Sequence, residues 1–526
     1  MAETLDETAK VDDAVWAPEL AEIAERKQMA LEMGGPERIE RHRAQGKQTV
    51  RERVDQLLDP GSFTEIGSIS GFAEYGADNK LKKLTPSSFV MGRGLIDSRP
   101  VLVGANDFTV RAPGADPGSG RKNMAVERLA AELRLPLIRL IDGFGGSVRG
   151  QEGIGRTYIP DNPGWREMME NLAQVPVVSL GLGTIAGLHT ARLVTSHYSV
   201  MVAETSHMFM AGPPVMARLG KTYTKEELGG AELQARSGSV DDVTASEAEA
   251  FQMARRFLSY LPASVYELAD RAPSEDPPER RDSWLASAIP RDRRKIYDPR
   301  RIARAIVDKS SFFEMGRMFG GSMITALARI DGWPVALMAS NPHIYGGGWT
   351  DKTSQKVTRF VDLATTFHLP VVVLVDIPGF VIGQEAEMAG TVRHGSRALA
   401  AVYQAKVPWC SVIVRKCFGV AGAGHTDHTR AQHRYAWPSA DWGSMPQEGG
   451  IEAAYRAEIE AAPDPEAKRQ EIESRLNLSR SPLRTAEHFM VEEMIDPRDT
   501  RPLLCEFVNL TAKLRQPGRS SFDLRP

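Results

Sequence analysis

Short apolar runs rich in β-branched residues recur along the chain, separated by polar stretches of helical length. The clearest are residues 100–105, 136–142 and 175–182, then 334–339, 370–376 and 407–414. Runs of four to eight apolar residues are what strands covered on both faces require. Their alternation with helical segments predicts an α/β fold.

The two sets of three strands also match each other. Asp97, Pro100, Lys122, Pro136, Asp142 and Gly145 reappear 234 residues later as Asp331, Pro334, Lys356, Pro370, Asp376 and Gly379. Pro176 and Gly187 reappear 232 residues later as Pro408 and Gly419. Upstream, Asp59, Phe63, Glu65 and Gly67 match Asp308, Phe312, Glu314 and Gly316 at a spacing of 249. Copies this large are two versions of one domain, not a solenoid of short repeats. Residues 19–58 read as a helical arm broken at Gly34-Gly35-Pro36. The first copy then covers residues 59–270 and the second 296–514. Between them, residues 271–295 open with a Pro-rich charged stretch (RAPSEDPPERR) and read as a linker. Residues 451–476 read as two amphipathic helices around Ala462-Pro463-Asp464-Pro465, with a solvated charged face.

Composition narrows the function without naming it. The 526 residues carry 65 Lys and Arg against 68 Asp and Glu, a net charge of −3. That balance argues against a nucleic-acid binder, which needs a basic excess to neutralise phosphates. Three cysteines are too few for a disulfide framework and point to a reducing compartment. The acidic N-terminal stretch is not a secretory signal, and no apolar run approaches the roughly 20 residues that span a bilayer. A cytoplasmic protein is expected, with neither nucleic acid nor membrane as partner.

The chemistry has to come from the glycines. Each half has a Gly turn after the strand that ends in Asp: Asp142-Gly143-Phe144-Gly145-Gly146, and Asp376-Ile377-Pro378-Gly379-Phe380. A second turn follows the next strand: Ala186-Gly187-Leu188, and Phe418-Gly419-Val420. Glycine lets backbone N–H groups converge on one point, and such a pair at a helix start can hold an oxyanion. Two such sites would suit two reactants that both develop enolate-like oxygens. Ordinary strand-to-helix turns read equally well. Other signatures fail: residues 181–187 have one residue too many for a dinucleotide fingerprint, and residues 114–122 miss the P-loop spacing. His425, Asp427, His428 and His433 cluster, but at no standard metal-ligand spacing, and read as a loop or helix face.

Several words, taken in order, carry a resemblance. They include Gly46-Lys47, Arg51-Glu52-Arg53, Leu58-Asp59-Pro60-Gly61-Ser62-Phe63, Gly145-Gly146, Gln151-Glu152-Gly153, Phe209 with Gly212-Pro213, and Glu226-Glu227-Leu228-Gly229-Gly230-Ala231. The second half adds Asp376-Ile377-Pro378-Gly379-Phe380, Arg393-His394-Gly395, Arg415-Lys416-Cys417-Phe418-Gly419 and Ala436-Trp437-Pro438. From about Glu37 to Leu514 the chain resembles the carboxyltransferase (β) subunit of biotin-dependent acyl-CoA carboxylases, of the propionyl-CoA or methylcrotonyl-CoA carboxylase type.

That resemblance implies two tandem crotonase-like domains, each a spiral of ββα units. It implies acyl-CoA on the N-terminal domain and biotin on the C-terminal domain of a neighbouring subunit. The assembly would be a homo-oligomer, β6 within an α6β6 complex. By position, the N–H groups of Gly187 and Leu188 would hold the thioester enolate oxygen, and those of Gly419 and Val420 the ureido oxygen of biotin. Gly145, Gly146 and Ala186 would lie by the acyl-CoA, and Gly379 and Phe380 by the biotin. In the implied mechanism carboxybiotin releases CO₂ in a closed site, biotin N1 takes the substrate's α-proton, and the enolate attacks CO₂. No side-chain base and no metal is needed. Ala423 stands where propionyl-type members usually carry an acidic residue, and Leu188 where a second Gly is common. Both departures put propionyl-CoA in doubt and leave bulkier acyl groups, or a vinylogous γ-carbon, open. The chain lacks a biotinylation sequence and an ATP-grasp pattern, so an α subunit must supply biotin carboxylase and the biotin carrier. The same half-reaction run backwards, in a decarboxylase sodium pump, and a non-catalytic scaffold are the alternatives.

Overall fold

The structure, a computed structural model, describes residues 15–110, 117–144, 156–157, 159, 162–426, 432–521 and 524–525. Gly145, Gly146, Asp427 and His428 lie outside the described residues. The chain divides into two compact units: Met1–Asn171 with Val177–Ala231 and Val243–Gln252, and Leu172–Pro176 with Glu232–Asp242 and Met253–Pro526.

In the first unit the arm forms three helices, Ala17–Leu31, Pro36–Arg43 and Val50–Leu57. Thr49 starts the third with a capping box, its hydroxyl taking the Glu52 N–H while the Glu52 carboxylate takes the Thr49 N–H. Strands β1 (Thr64–Glu65), β2 (Gly71–Tyr75), β3 (Leu81–Pro86), β4 (Phe89–Ile96) and β5 (Arg99–Asn106) follow. Then come β6 (Leu137–Phe144), β7 (Val177–Ala186), β8 (Tyr198–Val202), β9 (His207–Phe209) and β10 (Asp242–Thr244). Strands β2 and β3 form a hairpin of their own. The main sheet runs β1-β4-β5-β6-β7-β8-β10, with β9 beside β7.

The second unit repeats this plan. Its strands are β11 (Phe313–Met315), β12 (Met323–Ile330), β13 (Trp333–Ser340), β14 (Val371–Ile377), β15 (Trp409–Phe418), β16 (Gln432–Ala436), β17 (Asp441–Gly443) and β18 (Glu493–Met494). They run β11-β12-β13-β14-β15-β16-β18, with β17 beside β15. This is the mixed α/β, crotonase-like architecture, built twice.

The duplication extends to register. Leu102 pairs with Leu137 between β5 and β6, and Ala336 with Val371 between β13 and β14, each 234 residues on. A register shift interrupts β6–β7 between Ile141 and Gly143, and β14–β15 between Val375 and Ile377. Asp142 and Asp376 sit in these matching bulges. Bulges re-aim a side chain next to a functional surface.

The other repeat markers are structural. Asp59 accepts the N–H groups of Asp97 and Ser98 at 3.1 and 2.8 Å, pinning the β4–β5 turn. Asp308 does the same for Asp331 and Gly332 at 3.0 and 2.7 Å. Both turns hold positive φ at their two central residues, the backbone of a tight hairpin.

Two segments differ in detail from their sequence reading. Residues 271–295 include a short 3-10 turn, Ser283–Ser287, and Leu285 joins the core of the second unit. Residues 451–476 fall in three helices rather than two: Gln447–Ala454, Arg456–Glu460 and Pro465–Asn477. Tyr455, at φ −116° and ψ 13°, interrupts the first stretch, and Asp464 caps the last helix through the N–H groups of Glu466 and Ala467.

Candidate active site

Strand β7 runs past the apolar run 175–182, through Gly183-Thr184-Ile185, and ends at Ala186. The glycines there serve packing. A Cβ on Gly183 would lie 1.9 Å from Asp142 Oδ1. Gly187 follows at φ 63° and ψ −135°, a conformation that side chains resist, and opens the helix Leu188–Val194. In the second unit β15 ends at Phe418, and Gly419, at φ 61°, opens the helix Gly419–Ala423. Neither helix start has a side-chain cap. The first N–H groups of a helix have no partner within it, so both turns present donors at a strand end.

The first of these helices is held from behind. Buried Arg139 donates to the carbonyls of Arg192 and Thr195, at 3.2 and 2.5 Å, at the C-terminal end of the helix. Its other nitrogens reach both oxygens of Glu127 at 2.8 Å, and Arg192 joins the same carboxylate at 2.9 Å. His189 is also buried on this helix, and burial, then the Arg192 charge, pushes its pKa down to about 4. The imidazole is therefore neutral at physiological pH. Leu188 and Ala186 are half-buried beside Gly187.

The two bulge aspartates are fully buried, yet their counter-charges come from different places. Asp142 is met by Arg53 at 3.2 Å and Lys47 at 3.5 Å, both from the arm. Arg53 also bridges to both oxygens of Glu247 and to the carbonyl of Leu182. Burial pulls the Lys47 pKa down, with Asp142 opposing it. Asp376 is met by Arg415 at 2.8 and 3.0 Å, by the Tyr297 hydroxyl at 3.0 Å and by the Lys416 N–H at 3.1 Å. Burial and then the Asp376 charge raise the Tyr297 pKa well above its usual value. A buried carboxylate without such partners would cost several kcal/mol. Sequence reading marked Asp142 and Asp376 as repeat positions but missed the cations.

The turn at Gly379 has φ 126°. Its carbonyl accepts the Trp349 N–H at 3.1 Å, and the Val381 N–H reaches the Trp349 carbonyl at 2.9 Å. Trp349 is fully buried and meets the Phe380 ring edge-on at 6.0 Å. A Cβ on Gly395 would strike the Phe380 ring at 2.5 Å, so the Arg393-His394-Gly395 word makes room for that ring. Ile382, Met388, Val392 and Val420 are strongly exposed in this unit, as are Met210 and Leu219 in the first. Ala423 is exposed at the end of its short helix. Among the described residues no group of three His, Cys, Asp or Glu is placed to hold a metal, and no helix is long and apolar enough to cross a membrane. His425 lies in a 3-10 turn and His433 on β16.

Known proteins carry the same design. The carboxyl transferase domain model matches residues 41–520. The propionyl-CoA carboxylase carboxyltransferase subunit of Haloferax mediterranei is 34% identical over 484 residues, covering 91% of this chain and 93% of that one. The methylmalonyl-CoA carboxyltransferase 12S subunit of Propionibacterium freudenreichii subsp. shermanii is 34% identical over 509 residues, 94% of each. A crystal structure of transcarboxylase 12S, described as a hexamer with hydrolysed methylmalonyl-CoA bound, superposes with a TM-score of 0.86 at 30% identity, covering 98% of this chain and all of that one. With the duplicated fold and the paired glycine turns, these matches establish that the chain belongs to the carboxyltransferase family of biotin-dependent acyl-CoA carboxylases.

Proposed function

We propose that the chain transfers a carboxyl group from carboxybiotin, carried by a partner α subunit, to the carbon beside the thioester of an acyl-CoA. One observation carries this reading: Gly187 and Gly419 share φ values of 63° and 61° and each opens an uncapped helix at the end of the matching strand. The N–H groups of Gly187 and Leu188 hold the thioester oxygen as it gains charge, with Ala186, Gly145 and Gly146 along the acyl-CoA. Those of Gly419 and Val420 hold the ureido oxygen, with Gly379 and Phe380 beside the ring. Preorganised backbone donors of this kind are worth about 10²–10³ in rate each.

Open space at the two glycines of the second unit supports this reading. A Cβ on Gly379 would meet only the Phe418 carbonyl, at 4.0 Å, and one on Gly419 only the Ser444 carbonyl, at 3.5 Å. When bound, carboxybiotin supplies the carboxyl group and a ring nitrogen able to take the substrate proton. The chain's part is to orient both reactants, to stabilise the two oxygens and to exclude water.

Ala423 and Leu188 favour an acyl group bulkier than propionyl. The exposed apolar side chains of both units fit burial in a β6 assembly. The deciding assay mixes the purified chain with its α partner, ATP, bicarbonate and a panel of straight and branched acyl-CoAs. ATP-dependent carboxylation of a branched or longer acyl-CoA is expected. No product with any acyl-CoA would overturn the reading, and sodium-dependent decarboxylation alone would reverse its direction.

A further inference from the structure

A cavity of the second unit, of about 510 Å³, is lined by four arginines and by no carboxylate. These are Arg291, Arg293, Arg415 and Arg480. Its floor is apolar, with Trp437 fully buried and Leu285 2% exposed. The volume falls within the range of small-molecule sites, which combine apolar walls with a few placed charges.

The charge balance of the wall is uneven. Asp441 answers Arg293 at 3.0 Å and Arg480 at 2.6 Å. Asp376 answers Arg415 at 2.8 Å. Arg291 is exposed and forms no ion pair among the described residues. Two carboxylates therefore face four guanidinium groups, and a cleft lined by one sign of charge concentrates ions of the other. Guanidinium groups bind carboxylate and phosphate through paired N–H donors. Arg415 spends three of its five donors, two on Asp376 and one on the Lys295 carbonyl at 2.8 Å, so donors remain.

We propose that this cavity binds a small anion, a phosphate or carboxylate on a compact apolar body, and that its occupancy firms the corner between Asp376 and Lys416. The second clause rests on the carboxyltransferase reading only for its meaning. Arg415 borders the cavity and holds Asp376, Asp376 holds the Lys416 N–H, and Lys416 stands on β15 three residues before Gly419, which opens the next helix. Fixing Arg415 from the cavity side fixes the approach to that turn.

The test is calorimetric titration of the full chain with phenyl phosphate, benzoate, inorganic phosphate and, as a cationic control, benzylamine. Phenyl phosphate or benzoate is expected to bind one to one, whichever binds tighter naming the head group, and benzylamine to give no heat. Arg291→Glu should weaken binding about tenfold or more, since a charge-assisted hydrogen bond is lost and a repulsion gained. Ala286→Trp, an exposed wall position, should block the cavity without touching the core. Binding unchanged in both variants would overturn the site. Inorganic phosphate binding as tightly as phenyl phosphate would overturn the apolar body. Hydrogen exchange at residues 415–419 should slow on adding phenyl phosphate in the native chain and not in Arg291→Glu. Binding with unchanged exchange would overturn the coupling. Neither measurement uses acyl-CoA or biotin, so its failure is separate from failure of the proposed reaction.

Discussion

Gly183 and Arg415 stand at matching positions of the two units, and each faces the buried aspartate of its own bulge. Arg415 answers Asp376 directly, at 2.8 Å. Gly183 leaves its space to Asp142, whose cation arrives instead from Arg53 on the arm. The same carboxylate is thus kept in both units while its partner has moved from strand to helix. Gly183→Ala should therefore destabilise the first unit, because its Cβ must displace the Asp142 carboxylate. A loss of roughly 1–3 kcal/mol is expected from overpacking, read as a lower urea midpoint. An unchanged midpoint would show that the aspartate moves freely.

Asp376→Asn removes the charge but keeps the shape. It leaves Arg415 buried beside a neutral amide, and breaking such a pair costs about 3–5 kcal/mol. Under the proposed function it should also raise the KM for free biotin more than the KM for acyl-CoA, and Asp142→Asn should do the reverse. Equal changes in both constants for both variants would reduce these residues to general stability.

The glycines at the two turns should be irreplaceable for a backbone reason. Gly419→Ala meets only ordinary contact in space, yet must hold φ near 61°. A strained alanine costs about 1–2 kcal/mol, so the protein should fold, while carboxyl transfer falls by about 10²–10³ if the donors shift. Gly419→Pro, which deletes an N–H, should be at least as severe. Near-native turnover in Gly419→Ala would remove the turn from the mechanism.

His189 gives a pH signature. Its folded pKa of about 4 lies below the ordinary 6.5. Between these values the unfolded chain binds a proton that the folded chain refuses, so stability rises with pH across that window. From pH 7 down to pH 4 the loss should reach roughly 3 kcal/mol. His189→Gln should flatten that slope, and the difference between the two denaturation curves isolates this residue. Parallel curves would mean that the imidazole is not buried in solution.

Ala423→Asp tests specificity. An acidic residue there should shift kcat/KM toward propionyl-CoA against a longer branched acyl-CoA, by about tenfold or more if the side chain meets the acyl group. An unchanged ratio would place specificity elsewhere, Leu188 being next.

The repeat, the six core strands and the glycine turns were legible because strands buried on both faces write themselves as apolar runs, and because matching turns need glycine. Strand length was less legible. The apolar run ends at Leu182, yet β7 continues to Ala186, and its glycines make room for neighbouring side chains, Gly181 against Met201 and Leu193. The counter-charges were not legible at all. Arg53 lies 89 residues from Asp142 and Tyr297 lies 79 from Asp376, and no local pattern announces such pairs. The break at Tyr455 was hidden for another reason: a non-glycine residue can end a helix wherever its neighbours pack, here around Ile451, Ile459 and Ile472.

The matching bulges make chain length, more than residue identity, the inherited quantity in this protein. Along β6 and β14 few letters agree, yet both strands slip at the same step. A one-residue deletion ahead of either aspartate would turn its carboxylate to the opposite face of the sheet and carry the following turn with it. Substitutions in these strands can drift, as the migration of the cation shows, while insertions and deletions cannot. Each of these two strands therefore behaves as a ruler whose marks outlast the writing on it.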